Sequence, residues 1–488
     1  MQSGLKKLTK KDPVKDNIYL NPPFLHGGIY IFGKMNSGKT TAMLSIAQIY
    51  HDHPNYNFKI WDLYGGSRNE HLYWTLPSNK TKYWNAAKKI LRLNHEGPKQ
   101  YKVNLLYPLT SNLKINKLPS NPPYVNSKVF TIPLNNLDRQ DIELCLGPLA
   151  ENVYSSWRNI VFNNKKITPA QAIDKIRAKS GASTLYQSFF HPLINDHQLL
   201  QQKDCELNLD IKKEMNDTET ISVLCLDFVP EEYKLTIIGY VMRNLQEILS
   251  LRNSIKRNIL LMREVSEFFK VSNMSVTHDR NKMFKDKMSD WIRMGRRGMH
   301  PFLDTQSPSE TGGIVPGQQD LTFLGRLPSE NDRKLATAQP FRDDLINSKQ
   351  IQELGKVDSG EFIVCPSGKK AYYQYFLLPK SRFWEEGNGN FYTSIWEKEG
   401  GRWTSFKEEK ERLYNKYKEE MEEIEEEKRR KKEEERKRKE EEKRKKKEEE
   451  RIRKEEEKSK KQSNQSSNNN IKEEVKINKN KRGLNFDI

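Results

Sequence analysis

Cysteine is scarce in this chain of 488 residues. There are four, Cys145, Cys205, Cys225 and Cys365, and none belongs to a C-x-x-C pair. That spacing suggests neither a zinc site nor a disulfide framework, and fits reduced thiols in a cytosolic compartment. Long hydrophobic runs are also missing. No stretch approaches the roughly 18 apolar residues of a membrane-spanning helix, and the first residues, MQSGLKKLTKKDP, lack a secretory apolar core. The expectation is a cytoplasmic protein without membrane insertion. Acidic residues fall short of basic ones, 66 against 85, a formal charge of +19. The surplus is uneven. Residues 407–461 balance to +3 and 462–488 to +2, which leaves +14 on residues 1–406. A basic body favours a polyanionic partner, most simply nucleic acid. Lysine, asparagine and isoleucine are all plentiful, so an AT-rich coding genome is the competing account of the same excess.

Against these absences stands one dense motif. Residues 29–40 read IYIFGKMNSGKT, and Gly33 to Thr40 match the pattern G-x-x-x-x-G-K-[ST]. The run Ile29 to Phe32 is a short apolar strand, and TAMLSIAQIY, from Thr41 to Tyr50, has helical spacing. In such a loop the backbone N–H groups wrap phosphates, the lysine reaches the β and γ oxygens, and the hydroxyl holds Mg²⁺. The expected nucleotide contacts are Gly33, Lys34, Met35, Asn36, Ser37, Gly38, Lys39, Thr40 and Thr41, with Thr40 as metal ligand. The plain alternative is a glycine turn between strand and helix.

The rest of the chain divides by composition. Residues 1–25 form a polar, basic arm, for which a disordered solubilising segment is expected. Residues 26–404 alternate apolar strands with helical stretches, which argues for an α/β fold with a mostly parallel sheet covered on both faces. Within them, 164–219 are polar and mostly helical and are expected to be an insertion packed on the side of the core. GEFIVCPSGKKAYYQYFLLP, at 360–379, reads as a closing hairpin. Residues 405–461 are almost wholly Glu, Lys and Arg. Apolar residues all but stop after Ile424, so beyond it the heptad seam of a coiled coil is missing. Dense pairing of Glu with Lys or Arg at i,i+4 supports a solvated single helix instead. Residues 462–488 are expected to be a disordered tail.

Hydrolysis of a nucleotide needs a carboxylate to activate water, a polar group that senses the γ-phosphate, and usually an arginine for the transition-state charge. NILLMREVSEF, at 258–268, brings a strand into Arg263-Glu264. Glu264 is the candidate base. The preceding residue is usually an acid that helps hold Mg²⁺, and here it is Arg263, so Asp62, Asp227 or water must complete the metal's outer shell. Asp62 closes the strand FKIWD and is the metal candidate beside Thr40. Gln306, in DTQSPSE after the strand Pro301 to Leu303, suits an amide bridging water and γ-phosphate. Arg296 and Arg297 lie just upstream, and their guanidinium groups suit a neighbouring subunit's phosphate; solvated surface or DNA-backbone contact is the alternative.

Taken in order, Gly33–Thr40, Asp62, Glu264, the run Gly295-Arg296-Arg297-Gly298 and the tetrapeptide Thr305-Gln306-Ser307-Pro308 resemble the HerA/FtsK superfamily of P-loop ATPases. The likeness covers roughly residues 26–395. It implies a RecA-like (ASCE) core and a homo-hexameric ring that threads double-stranded DNA by hydrolysing ATP with Mg²⁺. It also implies Glu264 as base, Gln306 as sensor and Arg296 as a finger across the subunit interface. With no preceding β-barrel and no membrane helices, the chain is most similar to a DNA-packaging ATPase of a virus or mobile element, or to a stand-alone translocase. A reading from another class remains open, an ATP-gated scaffold in which the charged helix and tail hold a protein partner.

Overall fold

The structure is a computed structural model. It describes residues 5–9, 12–17, 27–52, 58–63, 74–75, 101–146, 150–162, 164, 166–178, 189–251, 257–266, 282–284, 286–288, 290–291, 298–306, 319–338, 348–366, 372–376 and 402–480. These divide into two compact units, Met1–Tyr417 and Lys418–Ile488.

The first unit is built on a 12-stranded sheet. Its strands are β1 (Leu5–Thr9), β2 (Asp12–Asn17), β3 (Gly28–Phe32), β4 (Lys59–Asp62), β5 (Lys102–Pro108), β7 (Val125–Phe130), β10 (Thr220–Leu224), β11 (Asn258–Met262), β12 (Met299–Thr305), β13 (Gln319–Leu324), β14 (Glu361–Pro366) and β15 (Tyr372–Phe376). Four short strands stand outside it: β6 (Leu118–Ser120) pairs with β16 (Arg402–Thr404), and β8 (Ile132–Pro133) with β9 (Leu200–Gln201). The order across the large sheet is β2-β1-β15-β14-β13-β3-β12-β11-β4-β10-β5-β7. From β13 to β7 every pairing is parallel, and from β13 back to β2 every pairing is antiparallel. The central order β13-β3-β12-β11-β4 places one strand between the loop-bearing β3 and β11. That is the arrangement of a RecA-like P-loop core.

The apolar runs of the central strands follow from burial on both faces. Alternate side chains go to opposite sides. Tyr30, Phe32, Leu260, Met262 and Leu303 join one hydrophobic cluster, together with the Glu231–Ser250 helix. Ile29, Ile31, Ile259, Leu261 and Phe302 join the other, together with α1 (Lys39–His51). Within 164–219, Ile173, Phe190, Leu193 and Met215 belong to the first cluster, so that segment shares the main core. It contains the helix Pro169–Arg177, opened by a Thr168 capping box, and the short helix Ile211–Asn216, but also β9 and turns. Tyr372 to Phe376 returns antiparallel to β14, as a hairpin does.

Two expectations need correction. The amino-terminal arm is not a disordered segment along its described residues. Leu5–Thr9 and Asp12–Asn17 form an antiparallel pair, and β1 adds to β15 with Leu5 opposite Phe376. A bare β15 would present unpaired N–H and C=O groups, which an added strand satisfies. A lysine-rich strand and, outermost, one containing Pro13 suit an edge. At the other end the charged helix runs from Lys407 to Asn480, 74 residues, past residue 461 where composition predicted disorder to begin. A residue added to an existing helix gains a hydrogen bond without a new nucleation step, so weak helix formers are carried along. Among the described residues no helix is long and apolar enough to cross a membrane.

Candidate functional site

The Gly33–Thr40 loop leaves the C-terminal end of β3 and feeds α1. Its root is tied to neighbouring strands: Gly33 N–H donates to Thr305 C=O at 3.2 Å and Lys34 N–H to Arg326 C=O at 2.8 Å. Its crown is tied to the turn before β14, where Gly360 N–H donates to Ser37 C=O at 2.9 Å and Ser359 Oγ to Asn36 C=O at 2.7 Å. Gly38 has φ of +89°, and a Cβ there would lie 3.2 Å from the Gly360 backbone, so conformation and space both call for glycine. The start of α1 has no side-chain cap and no acidic residue in its first turn. Its leading N–H groups and the positive end of its dipole are thus offered to an anion.

Three side chains meet beneath this loop. Lys39 is nearly buried, with Nζ 3.5 Å from Lys34 C=O and 3.6 Å from Glu264 Oε1. The same oxygen accepts a hydrogen bond from Gln306 Nε2 at 2.8 Å. Glu264 sits just past the end of β11 with φ of +49°, a left-handed conformation that costs a non-glycine residue free energy. Two bonds from the neighbouring strand hold it there: Glu264 N–H donates to Asp304 Oδ1 at 2.5 Å, and Val265 N–H to Asp304 C=O at 2.9 Å.

Of the residues singled out in the sequence, Lys39, Glu264 and Gln306 are therefore brought together. Thr40 is half-buried in the first turn of α1. Asp62 is fully buried and occupied with other groups. Its Oδ2 accepts from Arg263 Nη2 at 3.3 Å and from Trp74 Nε1 at 2.9 Å. Arg296 and Arg297 lie outside the described residues, as does the Thr41 side chain. Asp227 lies in the turn after β10, half-buried.

Sequence reasoning missed Asp304. It is fully buried at the end of β12, and burial pushes its carboxyl up to about 7; Lys39 pulls the other way and Glu264 adds to the rise. The signal for it was present, an acid closing the apolar run that leads to Gln306.

The donor set fits a magnesium nucleotide. The uncapped helix end and Lys39 suit a run of phosphates, while the Thr40 hydroxyl and the carboxylates beneath suit a hard cation that takes oxygen ligands. Buried Ser37 Oγ and Asp304 Oδ2 have no hydrogen-bond partner among the described residues, and a bound magnesium nucleotide with its waters would supply donors and acceptors for them.

No protein-family model matches the sequence, and no curated protein matches it. Solved structures do. VirB4 of Thermoanaerobacter pseudethanolicus aligns over 77% of this chain and 96% of its own, at 12% identity and a TM-score of 0.47. The bacterial conjugative coupling protein TrwB aligns over 74% and 87%, at 8% identity and a TM-score of 0.45. The genome packaging NTPase B204 of Sulfolobus turreted icosahedral virus 2 aligns over 72% and 97%, at 9% identity and a TM-score of 0.28. At these scores they are similarities only. The chain's own strand order and loop make its fold RecA-like.

Proposed function

We propose that this protein is an ATPase that works as a homo-hexameric motor on double-stranded DNA, using Mg²⁺. The observation that carries the reading is the meeting of Lys39, Glu264 and Gln306 under the uncapped start of α1. The loop N–H groups and Lys39 bind the phosphates, and the Thr40 hydroxyl holds the magnesium. When bound, that ion neutralises phosphate charge and polarises the γ-phosphoryl group. Glu264 takes a proton from the attacking water. Gln306 orients the carboxylate and, through its amide, the water beside it. Arg296 of a neighbouring copy supplies charge for the transition state. The surplus of +14 on residues 1–406 supports DNA as the polyanion.

A second reading has one observation in its favour. Residues from Lys418 onward form a compact unit of their own, which suits a scaffold that holds a protein partner. Hydrolysis by the full chain, measured with and without linear double-stranded DNA, separates the two. DNA stimulation that Glu264→Gln and Arg296→Ala both abolish is the motor's result. Nucleotide binding without stimulation gives the scaffold its case.

A further inference from the structure

Position 263 normally carries an acid in this kind of site, and here it carries an arginine. The structure accounts for that arginine. Its guanidinium turns along the sheet to Asp62, and the two are buried together at 3.3 Å. Asp62 Oδ2 is further engaged by Trp74. The Asp62 charge is thereby balanced by the Arg263 guanidinium.

The strand between β11 and β3 carries a further acid. β12 pairs Leu303 with Met262 on one side and Asp304 with Ile31 on the other. The residues that follow the Leu303–Met262 pair are Asp304 and Arg263. Phe302, Leu261 and Ile31 lie in the cluster that contains α1, so alternation sends Asp304 and Arg263 to that same face. Three adjacent strands thus end in acid, base and acid: Asp304, Arg263, Asp62. Asp304 is the member beside the loop strand. Its Oδ1 accepts the Glu264 N–H, while its Oδ2 is buried and takes no hydrogen bond among the described residues. A buried carboxylate oxygen without a donor is costly unless an external group supplies one.

We propose that Asp304 replaces the acid missing at position 263, its Oδ2 ordering the water shell of the magnesium that accompanies the nucleotide, one strand nearer the loop than the usual acid. The proposal rests on the nucleotide reading above. It assigns Asp304 two tasks through two oxygens: one positions Glu264, the other faces the metal's waters.

The test is equilibrium binding of N-methylanthraniloyl-ATP to the full chain, read by fluorescence, in Mg²⁺ and in EDTA. Wild type binds more tightly with Mg²⁺. Asp304→Asn keeps an acceptor for the Glu264 N–H but loses the charge. It is expected to lose about tenfold or more of the Mg²⁺ gain, taken as the ratio of its own affinities in Mg²⁺ and in EDTA, the scale seen when partners outside the first ligand sphere are removed. Should Asp304→Asn fail to fold by circular dichroism, Asp304→Ser carries the same expectation. A full Mg²⁺ gain in the folded Asp304 variant overturns the proposal. So does loss of the gain in Asp62→Asn alone, which returns the role to Asp62. Absence of binding by wild type in either buffer overturns the nucleotide reading and this proposal with it.

Discussion

Gln306 donates its amide hydrogen to Glu264 Oε1 across 2.8 Å, joining the turn after β12 to the turn after β11. Lys39 stands 3.6 Å from the same oxygen, so the carboxylate is held between an amide and a cation. Glu264→Gln keeps size and hydrogen bonding but cannot take a proton. It is expected to lower kcat by about 10²–10⁴ while nucleotide affinity is retained. Gln306→Ala is expected to lower kcat as well, with a smaller effect on affinity. Steady-state hydrolysis and nucleotide binding measured on the same preparations check both.

Arg263 and Asp62 are a buried pair, and the two halves do not tolerate separation. Arg263→Ala leaves the Asp62 carboxylate buried without its cation, with an expected cost of about 3–5 kcal/mol. Replacing both with apolar residues of similar volume is expected to recover most of that. Urea denaturation midpoints of the single and double variants decide the point. A double variant no more stable than Arg263→Ala would show that the pair's charge is needed for more than mutual neutralisation.

Gly360 has φ of +84° and touches the loop through its N–H. Gly360→Ala is expected to cost about 1–2 kcal/mol of stability from the left-handed conformation. It should also weaken nucleotide binding, although the residue lies outside the Gly33–Thr40 motif. A thermal melt read beside a nucleotide titration separates the two effects. Unchanged affinity in a folded variant would mean that the turn is only a neighbour of the loop.

Removal of residues 1–20 takes away β1 and β2 and bares the edge of β15. An open edge pairs with other chains. The truncated protein is expected to aggregate at concentrations where the full chain stays dispersed. Light scattering at matched concentration measures it.

The helix of Lys418–Asn480 is held by exposed i,i+4 pairs such as Glu427–Lys431, Glu433–Lys437, Glu435–Lys439 and Glu450–Lys454. Hydrogen bonds from these lysines hold the four carboxyls below their ordinary value of 4.5. A folded-state pKa below the unfolded one stabilises the helix fully above the unfolded value, and the stabilisation is lost as pH falls through the folded value. Ellipticity at 222 nm is expected to decline as pH falls below that ordinary value of 4.5. It should also decline at neutral pH as salt approaches about 1 M, where screening reaches contact distance. An ellipticity indifferent to both would assign the helix to propensity alone.

The strand, loop and helix around Gly33–Thr40 were legible because their signals are local: an apolar run, a spaced glycine pattern and a helical period within about two dozen residues. The charged helix was legible for the same reason, although its extent was not, since propagation carries Ser and Asn past residue 461. Long-range pairings were not legible. Arg263 and Asp62 are 201 positions apart, and nothing near either residue announces the other. The lysines of Leu5–Thr9 read as a solvated arm because the strand they pair with lies at Tyr372–Phe376. Asp304 read as part of a strand end until the sheet order set it between Arg263 and Ile31.

The two bonds between the loop crown and the turn at Ser359-Gly360 have a mechanical meaning. That turn is the root of β14, and β14 carries β15, β1 and β2 in series. A change in the shape of the loop crown would have to break these two bonds or carry the root of β14 with it. Strain gauged there, by spectroscopic distances between β2 and β13 across the nucleotide cycle, would report what happens at the phosphates from the far rim of the sheet.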